Sequence, residues 1–212
     1  MSRQAAAVTG ALIVGISAIA AWSSYTRQPV LSAAFWFEPV SYDASEAFAE
    51  RLNGGITRAE LRTIESIARS EVQAAFANSR LTFTDSRDAR YRIRVVQDIR
   101  AQKLPVAGES RPLPWRRGFG SVSFVVAANN AIAYAPANTG RPTIIEAIGR
   151  GIGRTAVHEF AHQLVGSFAL HNTTDRLSYE YADLRPEHFY GALHWSVALP
   201  RLQERIGLRP AS

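Results

Sequence analysis

The chain has 212 residues, enough for one domain with a real hydrophobic core plus a leader or a tail. Hydrophobic residues make up 47% and charged residues 20%, which excludes general disorder. The formal charge of +6 comes mostly from scattered arginines, with no Lys/Arg run long enough for a nucleic-acid arm, and the absence of cysteine excludes disulfides and thiolate metal sites.

The N-terminal "MSRQAAAVTGALIVGISAIAAW" sets Arg3 before an uncharged stretch from Ala5 to Trp22. A positive start followed by an apolar run is the plan of an export signal, and Ala18-Ile19-Ala20 fits a small-x-small cleavage site. At about 18 residues the run also just suffices to span a bilayer uncleaved, with Trp22 and Tyr25 suited to the interface. Residues 1–22 are therefore expected to be a signal peptide or an N-terminal membrane anchor. Either way the rest of the chain is expected outside the cytoplasm: periplasmic, secreted, or held at the cell membrane by a single span.

Residues 23–55 read as a linker and lead-in, closed by the breaker Asn53-Gly54-Gly55. Thr57 and Glu60 then form a Thr-x-x-Glu capping box, with Ile56 and Leu61 placed to staple it. Leu61, Ile64, Ile67, Ala68, Val72, Ala75 and Phe76 recur at helical spacing and predict a helix with one core-facing stripe. The period then changes to two. "LTFT" from Leu81 to Thr84 reads as a short strand, and Tyr91, Ile93, Val95, Gln97 and Ile99 alternate with Arg92, Arg94, Val96 and Asp98 as a strand with one wet face. Prolines and glycines between Pro105 and Pro114 predict a long irregular loop over 100–120. Its Trp115, Arg116 and Arg117 read as a solvated surface, or as a contact for a substrate carboxylate or headgroups. "SVSFVVAA" and "AIAYA" around Asn129-Asn130 read as a hairpin. Pro142 opens the next helix, which runs to Gly166, a natural stop. A last helix is expected from Pro186 to Gly207, carrying Phe189, Leu193, Val197, Leu202 and Ile206. The sum is a single α+β domain over 56–212.

"HEFAHQLVGSFALHNTTDRLSYEY", His158 to Tyr181, carries the chemistry. His158 and His162 at i and i+4 project from one helix face, the separation that one Zn²⁺ needs for two nitrogen ligands. Glu159 lands beside such a metal without binding it, placed to take a proton from metal-activated water and pass it to a leaving amine. His171, Asp175 and Glu180 are each candidates for the third ligand. All five histidines fall between His158 and His194, which favours a metal over a chance pair. His188 and His194 lie six apart on the predicted last helix, facing different ways, and His194 beside Trp195 reads as an interior imidazole.

The motif, the long helix and a mixed sheet resemble the zincin metallopeptidases, and most closely their metzincin branch, over Ile56 to His171. The resemblance implies a mixed twisted sheet packed on the long helix and the HExxH helix, with a C-terminal helix. It implies Zn²⁺ held by His158, His162 and His171, with Glu159 as general base. The substrate would be a peptide or protein, extended along an edge strand near Ala131 to Ala135. The spacing departs from HExxHxxGxxH: Gly166 comes one residue late and His171 three, and no methionine follows, since the only one is Met1. "SYEY", Ser178 to Tyr181, is placed to supply the floor instead. Asp175 resembles the aspartate of aspzincins, with Tyr179 then donating to the oxyanion. Glu180 resembles the glutamate of gluzincins, with Asp183 then orienting His158. The competing reading is a non-catalytic zincin-like domain, a zinc-binding envelope module or adaptor. The intact Glu159 speaks against it, because a structural site needs no base.

Overall fold

The computed structural model describes residues 31–101, 104–113, 117–166 and 170–209. The export segment expected at 1–22 lies outside the described residues, as do Trp115 and Arg116. Among the described residues no helix is long and apolar enough to cross a membrane.

Five strands build one mixed sheet: β1 (Leu31–Phe37), β2 (Leu81–Phe83), β3 (Tyr91–Val96), β6 (Gly108–Leu113) and β7 (Arg117–Ser123). Their order is β2-β1-β3-β7-β6. β1 runs parallel to β2 and β3, β3 runs parallel to β7, and only the edge strand β6 is antiparallel to its neighbour. Two short strands, β4 (Arg100–Ala101) and β5 (Leu104–Pro105), pair separately. Alternation in β3 puts Tyr91, Ile93 and Val95 into the core, where they meet Phe35 of β1 and Val122 of β7.

Six helices are described: α1 (Glu46–Arg51), α2 (Arg58–Ala75), α3 (Phe124–Ala133), α4 (Arg141–Val165), α5 (Pro186–Tyr190) and α6 (Leu199–Ile206). α2 starts as its sequence predicts. Thr57 Oγ1 accepts from Glu60 N at 3.2 Å, and the Glu60 carboxylate accepts from Thr57 N at 2.9 Å. Ile64, Ala68 and Val72 are its buried stripe, one turn apart and facing α4. α4 is apolar nearly all round because it runs through the middle of the molecule, against α2 on one side and the sheet on the other. Gly153 permits that approach, since a Cβ there would stand 2.7 Å from Ala68 O. The one buried cation of α4, Arg154, pairs with Glu71 of α2 at 3.0 Å and donates to the carbonyls of Glu187 and His188, tying α2, α4 and α5 together. α4 ends at Gly166 with φ 69°, the left-handed cap that glycine adopts without strain.

Four expectations need correction. The stretch read as a linker supplies β1 and α1 from Leu31 on: "LSAAFWF" is an apolar run because β1 has a strand on each side and a covered core face. The irregular loop at 100–120 contains β6 and most of β7, its prolines tolerated because β6 is an edge. The hairpin at Asn129-Asn130 is helix α3. Ser123 caps it by accepting from Val126 N at 3.4 Å, and Phe124, Ala127, Ala128, Ala131 and Ile132 make a helical stripe. Ala131 to Ala135 therefore offers no edge strand; β6 does. The single last helix is two short ones, α5 and α6, parted by an extended Gly191 and restarted near Pro200.

Candidate metal centre

α4 presents His158 and His162 one turn apart, with 3.0 Å between their Nε2 atoms. The chain leaves α4 at Gly166 and returns His171, whose Nε2 lies 3.2 Å from that of His162. The three ligand nitrogens all lie within 4.8 Å of one another, close enough to bind one metal ion.

The tautomer follows from the floor of the site. His158 Nδ1 lies 2.9 Å from the carbonyl of Tyr179, which can only accept, so Nδ1 carries the proton and Nε2 turns a lone pair towards the cluster. Burial, and then the neighbouring His162, lower the His158 pKa to about 4, which keeps the ring neutral at physiological pH, the form that ligates. His162 is buried, whereas His171 is exposed and closes the cluster from the solvent side.

Glu159 stands outside the ligand cluster and faces β6. Gly108 makes room for it, since a Cβ there would stand 2.6 Å from Glu159 Oε1. Ser110 Oγ donates to the Glu159 carbonyl at 3.1 Å and fastens the edge strand to α4 at this point. Burial pushes the Glu159 carboxyl up to about 8, with Glu109 adding to it. Glu159, His158 and His171 open together into a cleft of about 270 Å³, walled by Gly108, Thr155 and Tyr181.

The other candidates are tied elsewhere. Asp175 pairs with His194 at 2.9 Å and accepts from Leu177 N at 3.1 Å. Glu180, 1% exposed, accepts from Ser178 Oγ and from the amides of Ser196 at 3.0 Å and Ala198 at 2.7 Å. Its carbonyl accepts from Asn172 N at 2.8 Å, next to His171. The Tyr179 ring packs on Trp195 with centroids 4.9 Å apart, away from the cleft, so its part at the site is played by its carbonyl. Asp183 bonds to Arg185 instead of orienting His158. Ser178 to Tyr181 thus meets the site through the Tyr179 carbonyl on His158 and the Glu180 carbonyl on Asn172 N, held in place by the Glu180 carboxylate. Sequence reasoning assigned Glu180 as a ligand candidate and missed this structural use. Asn172, whose Oδ1 collects the Thr174 and Asp175 amides, was missed altogether, because an Asx turn leaves little trace in one sequence.

His194 is not the interior imidazole it was expected to be. His188 is the interior imidazole, its Nε2 3.2 Å from Thr155 Oγ1 and 3.3 Å from Gly151 O, and burial takes its pKa down to about 3. His194 lies off the helices with its side chain 57% exposed. No family model matches the chain, and no curated protein matches it.

Proposed function

We propose that the chain is a zinc-dependent peptidase of zincin-like fold. The observation that carries this is the convergence of the three Nε2 atoms beside a buried glutamate, in one cleft under an edge strand. A carboxylate placed next to a metal cluster but outside it has no structural use there, whereas a hydrolase needs such a base.

His158, His162 and His171 would hold the ion, with the Tyr179 carbonyl setting the direction of the first. A zinc ion so held supplies Lewis acidity, lowering the pKa of water towards 7 and polarising a carbonyl. Glu159 takes up the proton from the attacking water at its carboxylate and releases it to the leaving amine. Its position against β6, beside the ligand cluster and open to the cleft, puts the carboxylate where it can accept that proton and pass it on. β6 ends the sheet, so the outer side of Gly108–Leu113 offers backbone groups to an extended peptide, whose carbonyl then reaches the cleft. Export through the N-terminal segment belongs to the same proposal, and the substrate would be an envelope or extracellular peptide or protein.

The test is Glu159→Ala in the full chain, assayed on an unfolded protein substrate alongside zinc content. Turnover should vanish while zinc and Tm hold. Turnover that survives removes Glu159 from the mechanism, and a zinc-loaded parent without turnover leaves a non-catalytic zinc-binding envelope domain.

A further inference from the structure

The five-stranded sheet has a second face, turned away from α4. Register and alternation place Trp36, Arg92, Arg94, Ser121 and Phe119 there, opposite the core-facing Tyr91, Ile93 and Val95. The contacts agree: Arg94 Nε donates to Ser121 Oγ at 3.4 Å, and the Arg92 and Arg94 guanidiniums lie 5.7 Å and 5.1 Å from the Phe119 centroid. Arg111 of β6 pairs with Phe119, and Arg117 of β7 pairs with Leu113, so both project on this same face, and both are exposed. Arg87 reaches over the Trp36 ring at 5.6 Å. Among the described residues, four strand arginines, joined by Arg87 from the β2–β3 loop, therefore meet two glutamates on the sheet face, Glu109 opposite Ser121 and Glu38, which already pairs with Arg94 at 3.6 Å.

We infer that this face docks on an anionic bilayer surface. Arginines on aromatic platforms, with Leu113 41% exposed among them, combine the charge that attracts acidic headgroups with amphipathic bulk that settles at the interface. A single-stranded nucleic acid fits less well, since it stacks its bases on bare rings and here guanidiniums already occupy Phe119 and Trp36. The export reading proposed above adds to this: an N-terminal segment retained as an anchor would hold the face near a membrane. Only residues 23–30 separate the uncharged Ala5–Trp22 stretch from β1, which carries Trp36, and eight residues reach at most about 28 Å. The metal cleft opens on the helix side of β6, so docking through the other face leaves it free for substrate.

The experiment uses the full chain and two vesicle compositions, phosphatidylcholine alone and phosphatidylcholine with about 30% phosphatidylglycerol. Any contribution of the N-terminal apolar segment enters both, so the ratio of the two partition constants reports the face. We expect a ratio of at least about tenfold in low salt, collapsing towards one as ionic strength rises to about 0.5 M. Arg111→Glu with Arg117→Glu should abolish it at unchanged Tm, and the paired lysine substitutions should keep it. Equal binding of the parent to both vesicles, a salt-insensitive ratio, or a glutamate variant that retains the preference would overturn the inference. So would a parent that ignores the anionic vesicles yet binds a single-stranded oligonucleotide through the same arginines.

Discussion

Gly108 shows how little room surrounds the proposed base. Adding one methyl group would place a Cβ 2.6 Å from Glu159 Oε1 and 2.9 Å from Thr155 Cγ2, and the carboxylate, as the freer of the two, must move. Gly108→Ala should therefore cut turnover by roughly tenfold or more, since an ångström of misplacement can cost about a hundredfold, while zinc content stays at the parent's level. A variant that keeps full turnover would mean the carboxylate does not act from the position seen here. Glu180 acts at one remove. Its carboxylate anchors the backbone of Ser196 and Ala198, its carbonyl holds Asn172 beside His171, and its neighbour Tyr179 orients His158. Glu180→Ala leaves the Ser196 and Ala198 amides without the oxygen they share, so zinc affinity should fall 10- to 100-fold, as it does when an outer partner of a ligand is lost. Competition with a chelator measures this, and an unchanged affinity at lowered Tm would reduce Glu180 to a purely structural knot.

Elements carry the parts that sequence could announce. α2 was legible end to end because its signals are local: a capping box within one turn and a stripe at period 3.6. So was α4, from Pro142 to Gly166, and with it the placing of His158, Glu159 and His162. α3 was not, although Phe124, Ala127, Ala128, Ala131 and Ile132 have helical spacing, because two adjacent asparagines between β-branched and aromatic residues imitate a turn. β6 was hidden for a different reason. "GESRPL" has neither apolar alternation nor freedom from proline, and only its place at the sheet edge makes it a strand. The return of His171 under α4 depends on hydrogen bonds around Asn172 and Glu180, which join residues far from any periodic pattern. The start of α2 also yields a pH prediction. Arg141 bonds Glu60 at 2.6 Å and holds its carboxyl down at about 2, from 4.5, with Thr57 assisting. A depressed folded pKa means that the unfolded chain binds the extra proton first, so this stabilisation is complete above pH 4.5 and drains away towards pH 2. Glu60→Gln should lower Tm at neutral pH by an amount worth roughly 1 kcal/mol and flatten the acid side of the Tm–pH curve. Parallel curves for the two proteins would contradict the pairing.

At the scale of the whole molecule, the proposed reaction and the fold share one helix. α4 fills the centre of the core, packs against the sheet, and ends with the residues that face the cleft. Metal binding at its C-terminal half should therefore report on global stability, because an ion that binds only the folded chain stabilises it by mass action. Chelation should lower Tm by several degrees, and excess zinc should restore it. The measurement that comes first is zinc per chain, by elemental analysis, on the parent and on His171→Ala. One zinc in the parent and little in the variant is the result that the proposed centre predicts. A folded parent that takes up no zinc after metal is added back, or a His171→Ala protein that keeps a full equivalent, would contradict it.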